Sequence, residues 1–377
     1  MLRAAAPPYW HGATGIVPMT VVFLLATSMA LLAGVVLFGW NTLRVLAISV
    51  AVALLVESTF NLLTRRSRSW SESHALLVGA LFACTLPPTV GWHVPVIGSA
   101  LAVAIEHALL GGLGNYHWHP AAVGRVAVQM LFDEDLTPDR WPVLAPGRLV
   151  WGNLTAGQPL PPLRSWASHP VPDGVQAFTA IRPIDHLRSP LETAAGAAPA
   201  ETIAALLRDV LPPWPDTLTG LAAGAIGEAC TIAVIMAGLL LLGRGLLRPR
   251  MAVAAVVSAA ILAAILPVRL QPGSQPATSY WLPGAAIWQG LPVGLGYVCY
   301  HITAGEFLLV LLLLAPDPSS SPLTSRGHVL FGVAIGTVTM LLRVVVGIPA
   351  AGYWALLVAN TLVPLIDRAT RRRVLGT

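Results

Sequence analysis

The chain has 377 residues, of which 55% are apolar and only 10% charged, with a mean hydropathy of +0.72. That balance excludes an ordinary soluble domain and points to an all-α integral membrane protein, whose backbone groups must be satisfied without water. The formal charge of +5 comes from arginine alone, with no lysine in the chain, and it makes no case for nucleic acid because its distribution follows membrane topology.

Apolar runs able to cross a hydrocarbon core of about 30 Å recur along the chain. They predict ten segments, at 15–39, 43–63, 74–87, 94–113, 119–132, 218–243, 251–268, 288–315, 328–346 and 350–366. The third and fifth are short for full spans and read as tilted, broken or half-inserted. Residues 1–14 lack a clean basic start and a small-residue cleavage site, so the first span is expected to be retained as an anchor.

Arginines follow segment two (Arg65, Arg66, Arg68), segment six (Arg244, Arg248, Arg250) and segment ten (Arg368, Arg371, Arg372, Arg373). Arg3 and Arg326 fall on the same side, while the opposite short loops carry only Arg44 and Arg269. The positive-inside rule therefore places both termini in the cytoplasm and the long loop 133–217 outside. Trp10, Trp40, Trp70, Trp92 and Trp118 flank apolar runs, as an interfacial belt would. The expected organisation is a first membrane half at 1–132, an irregular, proline-rich extracytoplasmic loop at 133–217, and a second half at 218–377.

An internal repeat is visible. Thr85-Leu-Pro-Pro, an apolar span, His107, Gly111 and a span ending at Phe132-Asp133 parallel Pro316-Asp-Pro, an apolar span, Arg343, Gly347 and a span ending at Ile366-Asp367. Five segments per half is an odd number, so the halves would run in opposite directions, an arrangement that places a polar pathway near the midplane. Glu57, Glu106, His107, Arg125, Glu228, His301, Glu306 and Arg343 all fall within predicted spans, where ionisable groups need a polar interior. His107 and Arg343, matched across the halves, are expected to approach the pseudo-twofold axis. Cys84, Cys230 and Cys299 lie singly in apolar runs with no CxxC spacing. His117 and His119 form a two-ligand HxH with no nearby thiol or carboxylate, a weak metal signal.

In the outside loop the compact feature is Asp173-Gly174-Val175-Gln176-Ala177-Phe178-Thr179, an Asp-Gly turn followed by a hydroxyl.

Three stretches together resemble one family. GGLGNYHWHPAAVGR at 111–125 is similar to the GG-x-G…NPAxVGR region of the RnfD/NqrB membrane subunits of ion-translocating respiratory oxidoreductases. GAIGEAC, with Gly227 and Glu228, is similar to their G-S-x-G-E stretch, and residues 315–349 with LLVANTLVPLID resemble their C-terminal region. The resemblance covers about 74–377 and implies an inverted 5+5 repeat shared with the urea-transporter fold. It implies a bacterial inner-membrane subunit that passes electrons between the other subunits of an electron-transport complex and couples this to Na+ or H+ movement. Such a chain is a translocase subunit rather than a stand-alone enzyme. It further implies FMN esterified to Thr179 by a flavin transferase, with Asp173 and Gly174 ahead of the acceptor, and leaves room for riboflavin or a second flavin. Gln176, Ala177 and Phe178 depart from the family's serine, glycine and alanine. Arg125, Arg343 and Glu228 are the expected cofactor-side residues in the membrane, the arginines as partners of phosphate or of a flavin anion. Two other classes share the scaffold features: a channel or transporter, and a flavin-free assembly subunit.

Overall fold

The structure, a computed structural model, describes residues 15–64, 74–108, 114–136, 141–144, 177–188, 191–193, 199–212, 214–272, 278–280 and 291–370. The first half comprises α1 (Ile16–Phe38), α2 (Trp40–Leu63), α3 (His74–Cys84), α4 (His93–Ala108) and α5 (Pro120–Leu131), followed by the single turn α6 (Asp133–Leu136). The central segment contributes α7 (Pro183–Arg188), α8 (Pro199–Ala205), which continues into a π-helical turn at Leu206–Val210, and α9 (Trp214–Thr219). The second half holds α10 (Thr231–Gly243), α11 (Pro249–Ile265), α12 (Leu291–Thr303), α13 (Phe307–Leu309, running on to Leu314), α14 (Ser325–Met340, running on to Val346) and α15 (Ala351–Ala369).

Each predicted segment meets a helix, but few are simple spans. Among the described residues three helices are long and apolar enough to cross a membrane: Val17–Phe38, Trp40–Leu63 and Ser325–Val346. Val293–Thr303 and Phe307–Leu314 qualify together, bent by 53°. The expected span 218–243 is corrected by the structure: its first part is irregular between α9 and α10, because Gly220, Gly224 and Gly227 favour a broken backbone over a helix.

The chain is also not purely helical. β1 (Trp141–Leu144) pairs antiparallel with β2 (Ala177–Ala180), and β3 (Leu191–Thr193), β4 (Val268–Pro272) and β5 (Thr278–Tyr280) form a second small sheet. The parallel β3–β4 pairing ties the central segment to the second half just beyond α11. These are short segments of three to five residues, each including an aromatic, a Val or a Thr, residue types that favour strands.

The turn between α1 and α2 is a single residue, Gly39, at φ 57° and ψ −132°. Its N–H donates to Val35 O at 2.8 Å, and Thr42 Oγ1 donates to Gly34 O at 2.8 Å, which uses carbonyls left open at the end of α1.

In the packed bundle α1 lies on α10, α2 on α3 and α4, and α4 on α5; α11 lies on α14, α14 on α15, and α5 on α15. Phe82, Leu86, Leu311, Leu314 and Phe331 are fully enclosed, whereas Leu25, Leu32, Leu55, Val253, Ile261 and Val333 point outward. Large apolar residues thus lie both inside the bundle and on its outer surface, which a lipid surround permits.

Candidate functional site

The interior polar site begins where α3 stops. Ending at Cys84 leaves carbonyls without helical partners, and at membrane depth each must be satisfied by protein. Gly227 N–H donates to Cys84 O at 2.8 Å and Ile226 N–H to Leu86 O at 3.0 Å, so the irregular stretch of the second half closes the break in the first. Thr85 O accepts from Arg125 Nε at 3.1 Å. A Cβ at Gly227 would stand 2.6 Å from Cys84 Cβ, so only glycine permits this approach.

Arg125, on α5, is 1% exposed. Its Nη1 donates to Gln129 Oε1 at 2.5 Å, Gln129 donates on to Asp133, and the guanidinium lies 5.5 Å above the Tyr353 ring. Tyr353, near the start of α15, donates its hydroxyl to Glu228 Oε1 at 2.9 Å. The other Glu228 oxygen lies 3.6 Å from Arg182 Nη1. Arg182 makes a two-pronged contact with Asp185, Nε to Oδ2 at 2.8 Å and Nη2 to Oδ1 at 3.1 Å. Burial disfavours the charge of Arg182, yet Asp185 and Glu228 hold it above its ordinary pKa.

A second break carries the partner unit. Arg343 sits in the π-helical turn Leu341–Val346, donating Nη1 to His301 O at 2.5 Å and Nη2 to Glu306 Oε1 at 2.8 Å. The same Glu306 oxygen accepts from Gly352 N–H at 3.0 Å, placing a carboxylate at the N-terminus of α15, where the helix dipole favours it. His301 is buried against Tyr297, ring centroids 4.5 Å apart, and among the described residues neither of its ring nitrogens has a hydrogen-bond partner.

Three of the expected site residues, Arg125, Arg343 and Glu228, are thus brought into one buried layer. His107 is not: it stacks on Phe60 at 5.5 Å, its Nδ1 facing Val103 O of its own helix at 3.1 Å. The reason is position, since His107 faces α2 rather than the arginine layer. Thr179 belongs to β2, its backbone opposite Pro142, while Asp173 and Gly174 lie outside the described residues.

The arginines' present partners bear on how they would meet a flavin. Arg125 Nε and Nη1 donate to a carbonyl and an amide, and Arg343 Nη1 and Nη2 to a carbonyl and a carboxylate, so a phosphate at either arginine would compete with these protein acceptors.

Sequence reasoning missed two groups. Arg182, three residues beyond Thr179, read as part of a surface loop; the Arg-x-x-Asp spacing to Asp185 was the available signal. The other is a polar cluster at the far ends of α3 and α4, where His74 Nδ1 is 3.3 Å from Glu106 Oε1 and His74 Nε2 is 3.3 Å from Tyr116 Oη. Asp317 accepts from Ser320 Oγ at 3.0 Å. Burial raises the Asp317 carboxyl above its ordinary pKa, opposed by His74, Tyr116 and Ser320. Asn360 completes the layer, its amide nitrogen donating to Ser320 O at 3.1 Å and its oxygen accepting from His119 N–H at 3.0 Å.

Comparison with known proteins decides the affiliation, because the pattern of one family matches residues 3–376. The chain belongs to the NQR2, RnfD, RnfE family. Relatives in this family run the length of the chain. The D subunit of the ion-translocating oxidoreductase complex of Escherichia fergusonii is 26% identical, covering 100% of this chain and 99% of the relative. Its Stutzerimonas stutzeri counterpart is 30% identical over 91% of this chain and 87% of its own length. An Escherichia coli counterpart is 27% identical over 100% and 99%. In this NQR2, RnfD, RnfE member the described part of the motif from Tyr116 to Arg125, the Gly227-Glu228 stretch and the 315–367 region all contribute to the two polar layers just described.

Proposed function

We propose that this chain is the D-type membrane subunit of a bacterial ion-translocating oxidoreductase complex, carrying flavin at its extracytoplasmic side and passing electrons between partner subunits. The observation that carries this reading is the end-to-end similarity to proteins named as the D subunits of such complexes. In the reading, electron transfer is coupled to Na+ or H+ movement in the inner membrane, and the fold is an inverted 5+5 repeat of the urea-transporter kind. Two features support the repeat. α2 packs on α4 and α4 on α5, as α11 packs on α14 and α14 on α15, and each half contributes a buried arginine that bonds a carbonyl at a helix break.

The cofactor would be FMN joined to Thr179 by a flavin transferase, with riboflavin or a second flavin as a further carrier. A bound flavin supplies one-electron chemistry, and the protein supplies position and a dry surround. Arg182 stands three residues after Thr179 and is locked into the core, so the strand bearing the acceptor is held close to the membrane interior.

The test is flavin fluorescence in a denaturing gel, with intact mass, after co-expression with a transferase. Wild type is expected to carry a mass increment of one FMN that survives denaturation, and Thr179→Val to lose it while still assembling. An unmodified wild-type chain favours the second reading, a flavin-free scaffold or channel subunit, to which Gln176, Ala177 and Phe178 in place of the family's small residues lend support.

A further inference from the structure

Arg182 belongs to the central segment, yet its guanidinium is received by the membrane bundle. We propose that Arg182 and Glu228 are positioning residues: together they dock the strand bearing Thr179 at the break between α12 and α13, and so fix where a flavin on Thr179 would sit. The docking stands without a flavin; its consequence for the cofactor rests on the Thr179 reading above.

The step from strand to helix is short. β2 ends at Ala180 and α7 begins at Pro183. Between them Ile181 is 45% exposed and Arg182 1%, so the arginine is the side chain turned inward. Proline suits the first helical position, where no donor is needed. The Arg182 carbonyl accepts from Asp185 N–H at 3.0 Å and His186 N–H at 3.3 Å, which holds its backbone at the head of α7.

Two kinds of contact seat α7. Ile184 and Leu187 are buried in one apolar cluster with Tyr297, Tyr300 and Ala304, at the end of α12. Gly305, at φ 76°, allows the approach, since a Cβ there would stand 3.1 Å from Ile184 Cγ2. Apolar burial is non-directional, and by itself it would tolerate several seatings. The polar contact selects one. Asp185 grips Arg182 from within α7 by two hydrogen bonds, which fixes the plane of the guanidinium. Glu228 meets it from the bundle at 3.6 Å. That carboxylate is itself held in place, because Gly227 N–H is bound to Cys84 O and Tyr353 donates to Glu228 Oε1. Three residues of chain span at most about 11 Å, so Thr179 stays close to the anchor, and a group esterified to its hydroxyl inherits that position.

Hydrogen exchange read by mass spectrometry, on the full-length chain in detergent and expressed without a transferase, tests the docking alone. Arg182→Lys keeps the charge and loses the fork, and Glu228→Gln keeps an acceptor for Tyr353 and loses the charge. Each is expected to raise exchange across 177–188 about tenfold through local opening, while Ile181→Ala leaves it unchanged. After co-expression with a transferase, time-resolved anisotropy of the attached flavin tests the positioning. Both variants are expected to keep flavin that survives denaturation and to add a fast depolarisation absent from wild type. Arg182→Met/Asp185→Leu/Glu228→Gln removes every charge of the contact, and is expected to restore the thermal midpoint without restoring slow anisotropy. Exchange across 177–188 unchanged in both single variants would overturn the docking. Slow anisotropy in the triple variant would overturn the positioning role and leave the pair a matter of stability. A wild-type chain without attached flavin would retire Thr179 as the acceptor and the consequence for the cofactor with it, and the exchange result would then decide the docking by itself.

Discussion

Arg343 and Glu306 are each about 1% exposed, and Glu306 also holds the first turn of α15 through Gly352. Removing the arginine alone leaves a carboxylate buried without its counter-charge, a change that costs about 3–5 kcal/mol in comparable sites. Arg343→Met is therefore expected to lower the thermal midpoint in detergent strongly, while Arg343→Met/Glu306→Leu recovers most of the loss. Arg326→Met, on an exposed arginine, is expected to stay within about 0.5 kcal/mol of wild type. A second residue-scale prediction concerns His186 in α7. Burial lowers its pKa below the ordinary histidine value, with Asp185 opposing. The folded chain thus stays neutral at a pH where the unfolded chain already binds a proton, so this residue withdraws stability as pH falls through the ordinary value toward the depressed one. His186→Gln should flatten the acid side of the midpoint-against-pH curve in that window and leave the neutral side unchanged. Arg125, Glu228 and Arg343 were legible as site residues because a charge inside an apolar run stands out. Arg182, His74 and Asp317 were not, because each sits at the edge of an element, where charge is the ordinary condition.

At the scale of elements, α11 and α14 meet at a close contact made by Gly332 and Gly336 at a small-xxx-small spacing. A Cβ on Gly336 would stand 2.3 Å from Ala255 O and one on Gly332 2.3 Å from Met251 O, so backbone must move to admit any side chain. Gly336→Leu is expected to destabilise by about 1–3 kcal/mol, the usual result of overpacking. Gly243, with nothing within 4 Å of its would-be Cβ, is the control: Gly243→Ala is expected to be neutral or to stabilise by up to about 1 kcal/mol through helix propensity. Thermal unfolding in one detergent measures both. Segments one, two and nine were legible as spans from length and apolarity. The breaks after Cys84, before Thr231 and at 304–306 were announced by Gly and Pro, but whether a broken end is lethal or useful depends on the partner that receives its carbonyls. Those partners, Arg125, Gly227 and Arg343, come from elsewhere in the chain.

For the whole molecule, the arginine distribution makes a topological prediction. A reporter fused after Thr377 should behave as cytoplasmic, and one inserted near Gly157 as extracytoplasmic. Finding both on one side would remove the ten-segment arrangement, since five segments separate the two positions. The same orientation would put the Arg343 and Glu228 layer toward the outer face and the His74 and Asp317 layer toward the cytoplasm, so the two polar layers would be stacked along the membrane normal.

By itself the sequence determined that the chain is a membrane protein, where its long apolar helices lie, and to which family it belongs, because apolar length and local motifs are properties of contiguous residues. Tertiary structure alone decided which charges meet. Glu228 finds Tyr353 across 125 positions, Arg343 finds Glu306 across 37, and His74 finds Tyr116 across 42. No local pattern encodes such pairings; they follow from the need of every broken helix end and every buried charge to be satisfied inside a medium that offers no water.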